Sequence, residues 1–134
     1  MSSRIVRNIA VGMAVGCMIA TAAAAAPAFD ASLENAEAKA KKAEATVKIQ
    51  VSGVQLVDPA SVQEKPKAGQ GHLHYRVDDG PVIATTAPKL SFHELSPGEH
   101  RFELTLAGND HQPLLPSKTL RVTVPEAHAQ HSSR

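Results

Sequence analysis

The seven histidines of this 134-residue chain all lie at or beyond position 72: His72, His74, His93, His100, His111, His128 and His131. Neutral imidazole is a common ligand for zinc and copper, so spacing decides whether such residues carry chemistry. His72-Leu73-His74 has a useful spacing. On a strand, residues i and i+2 point to one face with Cα atoms about 6–7 Å apart. Two imidazoles so placed can share one ion at N–metal distances of ~2 Å. A third donor must come from elsewhere. The strand holding His72 is expected to pair antiparallel with one spanning Glu99–Ala107, which brings the end of the second beside the start of the first. Asp110 and His111 follow that end directly. His72, His74 and His111 are therefore the candidate ligands of a copper or zinc ion, with Asp110 as an additional oxygen donor. His93 and His100 belong at the opposite pole. His128 and His131, on the tail, would add only weak binding. The competing reading leaves His72 and His74 solvated on an outer face beside Arg76, since neither HExxH nor a cysteine-based zinc spacing accompanies them.

Other residue patterns offer less. Asp78-Asp79 precedes Gly80 and reads as a tight turn, Gly80 supplying the positive φ that a hairpin needs. Ser91 and Ser96 stand near His93 in sequence, but no motif specifies a nucleophile and its base. A non-catalytic protein is therefore expected. Trp is absent, with one Tyr and three Phe, so there is no obvious stacking platform for bases. Beyond residue 28 the chain carries 12 basic and 13 acidic residues. This balance offers no basic patch, and nucleic acid is not expected as a partner.

The elements that must position these histidines read as strands. From Thr46, Val47, Ile49 and Val51 alternate with Lys48 and Gln50, and after a break near Ser52-Gly53 the pattern continues to Leu56. Asp58–Gln70 is a long loop with Pro59, Pro66 and Gly69. Leu73, Tyr75 and Val77 alternate with His72, His74 and Arg76. Val82-Ile83 and Leu90–Phe92 mark two short strands. Phe102, Leu104 and Leu106 alternate with Arg101, Glu103 and Thr105, and Leu120, Val122 and Val124 mark the last strand. Short strands without helical periodicity predict an all-β chain, a small immunoglobulin-like sandwich of six to seven strands. Leu73, Tyr75, Val77, Phe102, Leu104 and Val122 are its expected core.

The N-terminus has a different character. Arg4 and Arg7 precede an apolar run, Ile9–Ala20, and Ala26-Pro27-Ala28 fits a small-x-small cleavage site, with Ala24 or Ala25 as alternatives. The expected organisation is a signal peptide over 1–28, an Ala/Lys/Glu-rich linker over 29–45, partly helical or disordered, a sandwich over 46–125 and a disordered polar tail over 126–134. The run is shorter than the ~20 residues that span a bilayer. Membrane attachment is thus expected only through an uncleaved leader or a lipid on Cys17, the single cysteine. Cleavage near Ala28 would remove that thiol, and with it disulfide, thiolate and blue-copper chemistry.

Gly71-His72-Leu73-His74-Tyr75-Arg76-Val77-Asp78-Asp79-Gly80-Pro81, Leu95–His100 and Ala107–His111 resemble segments of a family of uncharacterised small secreted bacterial immunoglobulin-like domains. The resemblance covers roughly Val47–Pro125. It implies export and a sandwich fold and carries over no catalytic residue. Two functional readings follow for a periplasmic or secreted protein. One is a non-catalytic interaction module for an envelope protein or a small ligand. The other is a copper- or zinc-binding protein using His72, His74 and His111.

Overall fold

A computed structural model describes Gly16, residues 25–63 and residues 65–127. The remainder of the expected leader, including Cys17, and the tail histidines His128 and His131 lie outside the described residues. The fold is all-β, built from two sheets. One contains β1 (Ala28–Leu33), β2 (Ala45–Ser52) and β6 (Lys89–Phe92). The other contains β3 (Gln55–Leu56), β4 (Gln70–Val77), β7 (Gly98–Ala107) and β8 (Lys118–Val124) in that order, with β5 (Ile83–Thr85) also paired to β4. The chain passes from the first sheet to the second at Gly53, whose φ of 73° lies in the left-handed region. A side chain there would also meet the Ala25 and Ala26 carbonyl oxygens.

Alternation explains the core. Val47 and Ile49 of β2 turn inward between exposed Lys48 and Gln50. Leu73 and Tyr75 of β4, Phe102, Leu104 and Leu106 of β7, and Val122 of β8 close the other side. Of the six residues expected inside, five are buried and Val77 is half-buried. Phe92 reaches across the sandwich, its ring centroid 5.2 Å from that of Phe102 and 6.5 Å from that of Tyr75. The Tyr75 hydroxyl donates to the Ala87 carbonyl at 2.6 Å, which satisfies the one polar atom this ring carries into the core.

Two expectations are corrected. Residues 29–45 are not a solvated linker. β1 pairs antiparallel with β2, Phe29 facing Val51 and Leu33 facing Val47. Phe29 is only 8% exposed, and Ala40 of the short helix α1 (Ala36–Ala40) is buried as well. The period of two is present in Phe29, Ala31 and Leu33, but an alanine at its centre mutes it. The second correction concerns the turn after β4. Its positive φ values fall on Asp78 (49°) and Asp79 (60°) rather than on Gly80. Gly80 N–H donates to the Val77 carbonyl at 2.8 Å, the shape of a type I′ turn. Aspartate tolerates this conformation better than most residues, and here its side chains are held by β7.

Leu104→Ala is expected to cost about 2–5 kcal/mol, and Phe29→Ala about 3–5 kcal/mol, the ranges for buried side chains of these types. Chemical denaturation of both variants checks this. A loss below ~0.5 kcal/mol for Phe29→Ala would restore the linker reading.

Candidate metal centre

β4 and β7 run antiparallel in a register that sets His72 opposite Ala107 and His74 opposite Thr105. All four share the face turned away from the core. Past Ala107 the chain turns sharply. Gly108 N–H donates to the Gln112 carbonyl, and His111 N–H donates to the Gly108 carbonyl, both at 2.9 Å. His111 holds φ at 61°, a left-handed conformation in which histidine is several-fold enriched among non-glycine residues. This turn brings His111 over the start of β4. Ala107 offers only a methyl group opposite His72, leaving room for a third ring. Gly71 permits the close approach of the two strands, because a Cβ there would stand 2.5 Å from the Ala107 carbonyl oxygen.

The structure brings together the three histidines singled out in the sequence. His72 Nε2 lies 2.8 Å from His74 Nε2 and 3.2 Å from His111 Nδ1, and the latter two atoms are 3.4 Å apart. The ring centroids are farther apart than these nitrogens, at 4.7, 4.7 and 5.5 Å. The rings thus splay outward and the nitrogens converge. His72 is fully buried, His74 half-buried and His111 exposed, which differs from a pair of solvated outer-face residues. Desolvation, followed by the neighbouring charges of His74 and His111, pushes the His72 pKa down to about 4. Desolvation and then His111 lower that of His74. Both rings are therefore held neutral, with a lone pair available.

The other candidates lie elsewhere. Asp110 does not join the cluster; its Oδ1 accepts the Gln112 amide at 3.1 Å. His93 is paired with Glu44 at 3.2 Å. At the opposite pole His100 is buried, its Nδ1–H donating to Asp78 Oδ2 at 2.5 Å and its Nε2–H to the Ser96 carbonyl at 2.6 Å. Two acceptors on one ring favour the doubly protonated imidazolium. The Ser96 carbonyl, then Asp78, raise the His100 pKa. Burial works to raise the Asp78 pKa, but the Arg101 amide, His100 and the Arg101 charge together lower it. Sequence reasoning assigned His100 no partner. Its signal was faint: an aspartate whose turn position and an imidazole whose strand position meet only through the β4–β7 register.

Fold and site define an all-β domain with a surface tri-histidine cluster. The chain belongs to a family of unknown function, DUF6130, whose model matches residues 53–134. That span contains all three clustered histidines. No curated protein matches the chain. Among solved structures it is similar to the extracellular domain of the "putative one component system BT4673 from B. thetaiotaomicron", at 17% identity and a TM-score of 0.40. The match covers 66% of this chain and 11% of that one.

The protonation pattern has a measurable consequence. His72 and His74 titrate lower in the fold than in the unfolded chain, so the unfolded state takes up protons first and stability falls as pH drops below ~6.5. His100 titrates higher in the fold, so its contribution is complete below ~6.5 and is lost as pH rises through its folded value. Denaturation midpoints of metal-free protein across pH 4.5–8.5 are expected to show both limbs. His74→Gln should flatten the acid limb and His100→Gln the neutral-to-alkaline one. An unchanged acid limb in His74→Gln would contradict the assignment.

Proposed function

We propose that this protein is an exported, non-catalytic domain that binds a transition-metal ion, zinc or copper, through His72 Nε2, His74 Nε2 and His111 Nδ1. One observation carries the reading. Each of the three converging nitrogens is either an N–H or a lone pair, and all three pairs lie at 2.8–3.4 Å. With two kinds of atom at three corners, at least one pair must be donor against donor or acceptor against acceptor. Hydrogen bonding therefore cannot satisfy the triangle, whereas a cation equidistant from its corners can accept a lone pair from each. Three neutral nitrogen donors without carboxylate suit zinc or copper rather than calcium or magnesium.

A second feature fits the same ion. Ligation through Nε2 leaves the ring proton of His72 on Nδ1, making that atom a donor. His72 Nδ1 and Asn109 Oδ1 are buried polar atoms without a hydrogen-bond partner. Asn109 Nδ2 donates to Gln70 Oε1 at 3.0 Å, which sets Asn109 one row along the same face. Export is supported by the sequence of the leader: Arg4 and Arg7, the apolar run and the small residues ending at Ala28. Among the described residues no helix is long and apolar enough to cross a membrane.

The tail histidines would form a separate site. β8 ends with Val124 opposite Gly98, at the far end of β7 from Ala107. Fully extended, the backbone from Val124 reaches about 14 Å to His128 and about 25 Å to His131. The length of β7 places the cluster about 30 Å away. Calorimetric titration with Zn(II) and Cu(II) is therefore expected to show binding that survives deletion of residues 127–134. Affinity should fall at least ~tenfold, about 1.4 kcal/mol, in His74→Ala and in His111→Ala. His93→Ala should leave it unchanged. Binding no tighter than ~100 μM, or a loss caused by the tail deletion alone, would remove the site.

A further inference from the structure

We infer that the tri-histidine centre is pyramidal and open, holding its ion with three protein nitrogens and taking a small anion from solution as the fourth ligand. This rests on the metal-binding reading above and adds the geometry and the ligand class to it. The argument begins with the triangle of nitrogens at 2.8, 3.2 and 3.4 Å. An ion about 2.05 Å from each would subtend N–metal–N angles of about 85°, 100° and 110°. A square-planar centre needs one pair of donors opposed across the ion, about 4 Å apart, and no pair approaches that. A planar trigonal centre at the same bond length needs all three pairs near about 3.5 Å. The ion must therefore stand about 1 Å out of the nitrogen plane, given the same bond length. Three nitrogens then occupy one side and a vertex is left on the other. These angles lie between those of a facial octahedral set and a tetrahedron, and the tetrahedral preference of zinc selects the arrangement of sites that keep one position for an exogenous ligand, as opposed to structural sites closed by four protein donors.

The fourth vertex has no protein donor in the cluster, which among the described residues comprises His72, His74 and His111. Asp110 lies within the turn and accepts the Gln112 amide through Oδ1. Charge then selects the ligand. Three neutral imidazoles leave a divalent ion with its full +2, and a partly buried cation with no neutralising side chain favours an anionic partner. Access is available because His111 is exposed and His74 only half-buried. A cleft of about 360 Å³ is lined by Gln70, two residues before His72 on β4, and by Asn109, two residues before His111. Lys65 and Lys67 also line it, giving this end of the sheet a positive potential.

Cobalt(II) is the probe, because its visible absorption distinguishes four-coordinate from six-coordinate centres and responds to ligand exchange. Full-length protein loaded with one equivalent of Co(II) is expected to give the intense visible bands of a four-coordinate centre. Azide should shift those bands along a single saturating curve. His111→Ala, a change at an exposed turn residue, should weaken Co(II) binding at least tenfold. Lys65→Gln combined with Lys67→Gln should weaken azide binding at least twofold at low salt without altering Co(II) affinity. Bound Co(II) whose bands ignore azide would mean that a fourth protein ligand closes the centre, overturning this inference while leaving metal binding in place. Pale six-coordinate bands would overturn the single open vertex. Unchanged azide affinity in the double lysine variant would overturn the approach through the cleft. Failure of Co(II) and Zn(II) to bind would overturn both this inference and the reading it rests on.

Discussion

The antiparallel pairing of β4 with β7 in a single register is the constraint on which the rest depends. It sets Leu73 and Tyr75 into the core while His72 and His74 take the opposite face. Side chains alternate along a strand, so a slip of one residue would drive both imidazoles into the sandwich and expose a leucine and a tyrosine. The burial of Leu73, Tyr75, Phe102, Leu104 and Leu106 thus enforces the position of residues that take no part in the core. The same register ends β7 beside the first turn of β4, which is why a residue 39 positions later in the chain can meet His72. Gly71 and Ala107 complete the arrangement by size: one lets backbone approach backbone, the other leaves a ring-sized gap on the outer face.

Much of this was legible in the sequence because the strands carrying it are strongly periodic. The alternation through Leu73–Val77 and Phe102–Leu106 assigned faces to the histidines and predicted their partner strand, and the meeting of His72, His74 and His111 followed from the pairing. Burial of His72 was not legible. Strand periodicity tells inside from outside but not which part of an outer face a loop will cover, and the turn through His111 covers this one. β1 was missed because Phe29 sits beside a candidate cleavage point and Ala31 contributes little hydrophobic signal. Thr105, expected to face solvent, is on the outer face but buried, its hydroxyl 2.6 Å from that of Ser117. β3 was read as a continuation of β2, whereas the chain changes sheets at Gly53 and pairs in parallel with β4.

The two poles shift the pKa of the same side chain in opposite directions. At one, loss of water, then the neighbouring imidazoles (His74 and His111 for His72, His111 for His74), lowers the pKa of His72 and His74. At the other, His100 lies between a carboxylate and a carbonyl, so the proton is held. The environments, rather than the residue type, decide which imidazoles have lone pairs to offer. Asp78 has a double task there. It adopts the left-handed turn that reverses β4, and its two oxygens receive the His100 ring and the Arg101 amide. The hairpin reversal and the buried imidazole are thus one structure.

The turn that carries His111 is fastened mainly by its own backbone hydrogen bonds, while β4 is built into a sheet on both edges. An ion shared between them would act as a reversible cross-link, joining positions that β5, β6 and β7 separate along the chain. The denatured polypeptide would keep the adjacent His72–His74 pair but would have to close a loop of that length to recruit the third donor, an entropic cost the folded chain has already met. Preference for the folded state would then grow with the supply of ion, by about 2.7 kcal/mol at a free concentration a hundred times the dissociation constant. Where proteases attack the unfolded chain, the lifetime of the domain would track the metal content of its surroundings.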